Sequence, residues 1–209
     1  MSSSVAPTVS SQGEALQPTG HISAQDVLLA EKAERYSSSG IWVAIFAITM
    51  SFAAFSSALF VREGTTDWGH LVLPSILYVN TLILVGSSVV LEMARHTIVE
   101  QQSRREASAW VMTTLLLGLA FCAGQYRAWL DLRADGIYLA TNPNSSFFYL
   151  LTVLHALHVC AGIGVLTYLA TRLVTGGRCR VSLFRNTAIY WHFMTVLWLY
   201  LLLLCRVKL

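Results

Sequence analysis

The sequence predicts an all-α polytopic membrane protein, with five transmembrane helices in one bundle and a cytoplasmic N-terminus. Composition is the first reason. The 209 residues are 55% hydrophobic and only 12% charged, and the mean hydropathy is +0.58. A soluble domain carries about 25% charged residues. The second reason is where the charges are missing. Ile41–Val61, Leu71–Leu91, Ala107–Tyr126, Phe147–Thr171 and Asn186–Cys205 contain no Asp, Glu, Lys or Arg. Each is long enough for the roughly 20 helical residues that cross a hydrocarbon core of about 30 Å. These runs are apolar all round rather than alternating, which favours helices over barrel strands. The third reason is loop charge, taken up below.

The first twenty residues, MSSSVAPTVSSQGEALQPTG, are rich in Ser, Pro and Gly. They lack the basic n-region and apolar core of a signal peptide. Residues 1–40 are therefore expected to be a mobile cytoplasmic tail and residues 41–209 the transmembrane domain. Within the tail, SAQDVLLAEKAERYSS has the pattern of a short surface helix with Ser23 as N-cap and Asp26 three residues on. A frayed tail is the competing reading. After the first three spans comes the longest expected loop, Asp131–Ser146. Its NPN turn precedes the fourth span, with Ser145 or Ser146 as N-cap.

Orientation follows from the basic residues. Lys32, Arg35, Arg95, Arg104, Arg105, Arg172, Arg178, Arg180 and Arg185 fall on the side of the N-terminus. Arg62, Arg127, Arg133, Arg206 and Lys208 fall opposite. Nine against five places the N-terminus in the cytoplasm. The net charge of +3 reflects this bias and does not indicate a nucleic-acid surface. Cys122, Cys160, Cys179 and Cys205 form no CxxC pair, and buried cysteine behaves as a small apolar residue.

Ionisable groups inside membrane spans are expensive, so each is a functional candidate. His155 and His158, in FFYLLTVLHALHVCAGIGVL, lie three residues apart on one helix face. Two histidines alone do not complete a zinc site, and at this spacing they cannot bracket a porphyrin. The favoured role is hydrogen-bonded packing, with Gly162 and Gly164 allowing close helix approach. Glu92 can pair with Arg95 or His96 one turn on. Asn80, Ser87 and Ser88 can bond across to other helices. Trp191 and His192 open the last span. Tyr190 and Trp191 suit an interfacial aromatic belt, and His192 at that depth can reach water or a lipid phosphate. The sequence holds no nucleotide loop, GxSxG elbow, HExxH or CxxCH. No catalytic residue or metal ligand is predicted. Glu92, His155, His158, Trp191 and His192 are instead candidates for helix packing or for a lipid and proton surface.

Several stretches then share a pattern. YWHFMTVLWLYLLLL resembles the last-helix signature YWHFxDxxWLF of subunit III of the haem-copper oxidases. SSFFYLLTVLHALHVCAG resembles the same family's FFxLTGxHGLHVxxG. NTLILVGSSVVLEMAR, GLAFCAGQYRAW and GIWVAIFAITMSFAAFSSALFVR resemble three further stretches, all in family order from about Gly40 to Leu204. The resemblance implies an all-helical accessory subunit in the short five-helix bacterial form, a multi-pass protein of the cytoplasmic membrane. It would bind no haem or copper itself, and those cofactors would sit in its partners, oxidase subunits I and II. It would hold phospholipid, support proton uptake, stabilise subunit I, and have no small-molecule substrate of its own. Three family carboxylates are missing. Their places fall near Ile48–Thr49, at Thr195, and at Arg127–Ala128. Glu92 is the candidate substitute.

Two other readings compete with a cytochrome c oxidase. One keeps the family and changes the host to a quinol oxidase or a nitric-oxide-reductase-associated complex. The other is a free-standing haem or metal protein built on His155, His158 and His192, which a Soret band or a bound ion would reveal.

Overall fold

A computed structural model describes residues 24–62, 73–101, 103–139, 142–176 and 181–208. The described residues form five long helices: α1 (Ala24–Arg62), α2 (Ile76–His96), α3 (Arg104–Ala134), α4 (Pro143–Val174) and α5 (Val181–Lys208). All five contain a stretch long and apolar enough to cross a membrane. The chain is thus a multi-pass, all-helical membrane protein.

The helices overshoot the charge-free windows. Helix α1 starts at Ala24 and runs unbroken for 39 residues, so the expected boundary at residue 40 falls inside it. Ser23, its expected N-cap, lies outside the described residues, as does Cys179. Helix α3 continues past Arg127 to Ala134, which shortens the long loop expected from Asp131. Charges at a helix end do not stop the helix, because their long stems reach headgroup depth. Arg127 and Asp131, one turn apart, pair at 3.1 Å.

Local chemistry sets the helix ends. After α3 the chain reverses at Gly136, whose φ of +77° costs a residue without Cβ little. The N–H of Ile137 reaches back to Leu132 O at 2.9 Å and that of Gly136 to Arg133 O at 3.0 Å, satisfying carbonyls at the helix end. Helix α4 begins with Asn142 as N-cap and Pro143 at the first turn. The backbone N–H of Asn142 donates to Ser145 Oγ at 3.2 Å. Ser145 therefore acts three residues inside the cap, and neither Ser145 nor Ser146 is the cap itself. Proline is best tolerated at the first helical position, and this moves the helix start upstream of both serines. Helix α2 ends in a π-helical turn, Thr97–Gln101. Arg104 Nη1 then donates to Gly176 O at 3.2 Å, which ties the start of α3 to the end of α4 on one side of the bundle.

Helix α5 is the centre of the bundle. Half of its most apolar stretch is buried, against 17% for α1. It packs on α1, α2 and α4, while α2 lies along α3 and α3 along α4. The core includes Phe52, Leu84, Leu91, Phe121, Phe148, Leu166, Trp191, Met194 and Trp198.

Candidate functional site

The polar residues of the membrane spans converge on α5 from two sides. On α2, Thr81, Ser87, Ser88 and Glu92 fall on the flank that meets α5. Four side-chain hydrogen bonds cross that seam. Trp198 Nε1–H donates to Thr81 Oγ1 at 3.0 Å, and Trp191 Nε1–H donates to Ser87 Oγ at 3.0 Å. His192 makes the other two. Its Nδ1 is bonded to Ser88 Oγ, and its Nε2 lies 3.2 Å from Glu92 Oε2. One neutral tautomer satisfies both contacts: Nε2–H donates to the carboxylate and Nδ1 accepts the serine hydroxyl. Protonation at Nδ1 would be accommodated by rotation of that hydroxyl.

Glu92 also accepts from Arg95, whose Nε lies 2.9 Å from Oε1 and 3.0 Å from Oε2, with Nη2 on Oε1 as well. The expected Glu92–Arg95 pair thus exists and extends to α5 through His192. The Glu92 side chain is 43% exposed, at the edge of a groove shared with His96, Glu106 and Trp110. The cluster thus places a carboxylate, a guanidinium and an imidazole together at the edge of that groove.

Trp191 departs from expectation. It is 1% exposed and so belongs to the core rather than to an interfacial belt. Two glycines account for this. A methyl group at Gly118 on α3 would lie 2.9 Å from Trp191 Cη2, and one at Gly162 on α4 would lie 3.1 Å from its Cζ3. The indole fills the space these glycines leave and bonds to Ser87, joining three helices to α5. Gly164, expected to share this role, has nothing within 4 Å of its Cβ position. Two residues along a helix is a rotation of about 200°, so it faces the other way.

The two α4 histidines also diverge. His155 is fully buried, with Trp198 at 5.1 Å and Phe121 at 6.0 Å between ring centroids. His158 is half-buried beside Phe52 of α1, at 6.0 Å, and its Nδ1–H donates to Leu154 O of its own helix at 2.7 Å. Its backbone carbonyl accepts the Tyr190 hydroxyl at 2.9 Å. His192 turns to α2, whereas His155 and the backbone of His158 meet α5 from α4.

The places of the missing carboxylates are occupied differently. Thr195 Oγ1 donates to Trp191 O at 3.0 Å and Thr49 Oγ1 to Ile45 O at 2.8 Å. Both hydroxyls are turned back on their own helices. Among the described residues, no group of three or more His, Cys, Asp or Glu is arranged to hold a metal ion. Sequence reasoning missed Thr81 and Gly118. Each is a small residue within an apolar span, and only the indole facing it marks it out.

Comparison with known proteins bears on this bundle directly. The family model for cytochrome c oxidase subunit III matches residues 35–207. The chain is 32% identical over 169 residues to cytochrome c oxidase subunit 3 of Synechocystis, covering 79% of this chain and 69% of that one. It is 28% identical over 172 residues to quinol oxidase subunit 3 of Bacillus subtilis, covering 78% and 82%. A heme-copper oxidase subunit I+III of Aeropyrum pernix is 28% identical over 173 residues, which cover 77% of this chain and 21% of that protein. With a match that begins inside α1 and ends inside α5, the chain belongs to the cytochrome c oxidase subunit III family.

Proposed function

We propose that this chain is the accessory, cofactor-free subunit III of a proton-pumping respiratory haem-copper oxidase. It would lie in the bacterial cytoplasmic membrane with its N-terminus inside, stabilise the catalytic subunit I, bind phospholipid and support proton uptake. The observation that carries this reading is the family match from residue 35 to residue 207. The Aeropyrum relative, whose name joins subunits I and III, supports subunit I as the direct partner, with subunit II in the same complex.

The polar seam supports an accessory role over a catalytic one. Ser88, His192 and Glu92 stand in the order hydroxyl, imidazole, carboxylate, which is that of a hydrolytic triad. Ser88, however, is buried against α5 in mid-helix, where backbone N–H groups are committed to the helix and cannot stabilise an oxyanion. The seam therefore works as a helix joint with one exposed acid–imidazole edge. Glu92 on that edge is paired with Arg95 and His192, which supports packing as its main role. Lipid binding is supported by a groove of about 730 Å³. Leu150, Val153 and Leu157 of α4 line it, and Arg133 and Tyr138 stand near the helix ends, where a chain and a phosphate would fit.

Removing the chain from its complex is the test. The initial oxidase rate should persist while activity decays faster during sustained turnover. An unchanged lifetime would reject the stabilising role. A quinol oxidase is the second reading, favoured by the Bacillus relative. Assaying the purified complex with reduced cytochrome c and with a quinol separates the two hosts.

A further inference from the structure

Among the buried side-chain atoms of the described residues that lack a hydrogen-bond partner in the protein, five lie on three residues: Asn80 Nδ2, Gln125 Nε2 and Oε1, and both ring nitrogens of His155. Asn80 and Gln125 are each 1% exposed and His155 is fully buried. The three residues come from α2, α3 and α4, and neighbouring contacts bring them to one level. The Asn80 amide lies against Gly124, the residue beside Gln125. Phe121, one turn before Gln125, packs on His155. Trp129, one turn after it, donates its Nε1–H to Thr152 at 3.2 Å, and Thr152 is one turn before His155. Gln125 is thus bracketed against the stretch of α4 that carries His155. Trp198 of α5 stacks on the same imidazole while its own N–H is used on Thr81.

We propose that Asn80, Gln125 and His155 form an internal water-binding site that links α2, α3 and α4 within the membrane. The mixture of groups selects the ligand. Asn80 offers a donor, Gln125 a donor and an acceptor, and neutral His155 one of each. A cation would need lone pairs from every side, but the amide nitrogens have none to give and no carboxylate lies in the set. An anion would need a positive charge that these three residues lack. Water both donates and accepts, and buried water makes two to four such bonds to groups that would otherwise be unsatisfied. Inside a bilayer no bulk solvent can substitute, and leaving these groups bare is costly. The histidine is then neutral, with one nitrogen donating to a water oxygen and the other accepting from a water O–H.

A density map of the full chain, in whatever complex it is purified with, at a resolution that shows ordered water, tests this. The expected result is at least one water peak at hydrogen-bonding distance from both the Gln125 amide and a His155 ring nitrogen. A dry site would overturn the proposal, as would a Gln125 amide bonded directly to His155 or to backbone. Infrared difference spectra in H₂¹⁸O give a second reading. A shifted water band should be present in the native protein and absent in Gln125→Leu. A band that persists unchanged in Gln125→Leu would place the water elsewhere and also refute the site. If that variant fails to fold, the native map decides alone.

Discussion

Substituting the glycines around Trp191 gives the sharpest stability prediction. In Gly118→Ala the new methyl would sit 2.9 Å from Trp191 Cη2, 3.1 Å from Cζ2 and 3.5 Å from Ile163 Cγ1. Real Cβ contacts are not this close, so something must move. The indole cannot easily do so, being rigid, buried and bonded through Nε1 to Ser87. Overpacking of this kind costs about 1–3 kcal/mol. Against it stands a gain of up to about 1 kcal/mol for replacing Gly by Ala in a helix interior. Subtracting that gain in full leaves a net loss of up to about 2 kcal/mol. Gly164→Ala, two residues beyond Gly162, meets nothing within 4 Å and should keep only the propensity gain. Denaturation of the purified subunit in mixed micelles, followed by circular dichroism, measures both. Trp191→Phe removes the outer indole atoms that the methyl would strike, so combining it with Gly118→Ala should recover part of the loss. Coupling of about 0.5–3 kcal/mol is usual for residues in contact. Equal effects of Gly118→Ala and Gly164→Ala, or strict additivity with Trp191→Phe, would refute the reasoning.

Three further outcomes are expected. Glu92→Gln keeps an acceptor for His192 but loses the ion pair with Arg95; at this exposure it should cost no more than about 1 kcal/mol and leave proton pumping near normal, and a pumping defect in an intact complex would make Glu92 part of the uptake surface. His192→Ala removes the bonds to Ser88 and Glu92, each contributing on the order of 1 kcal/mol or less, so the partner's haem spectrum and initial rate should hold while retention of the subunit in detergent falls; loss of a haem band or metal from this chain would contradict that. Reporter fusions at Gln102 and Gly176 should read cytoplasmic and one at Asn144 periplasmic, and the reverse pattern would reject the proposed orientation.

The five spans were legible because charge is costly to bury in a bilayer, and the charge-free windows record that cost directly. Their ends were less legible. Ala134 and Pro143 depend on a positive-φ glycine and a proline at the first helical turn, which act within a few residues and leave hydropathy unchanged. Glu92 with Arg95 could be read from helical spacing alone, because both sit on α2. His192 with Ser88 and Glu92 could not, because their partnership depends on how α5 is rotated against α2. That rotation is set by Trp191 filling the space at Gly118 and Gly162. Gly162 and Gly164 look alike in the sequence, yet only one faces the bundle. The rotation of α4 carries His155 inward and leaves His158 half-buried beside α1, although their spacing alone puts both on one face.

The central claim, that this chain is an accessory subunit of a haem-copper oxidase, is tested most directly by purifying it from its native membrane in mild detergent and identifying what comes with it. Subunit I should co-purify in fixed proportion, and the haem absorbance of the preparation should follow that partner when the two are separated. Recovery of the chain alone, or a Soret band that stays with it after separation, would contradict the account.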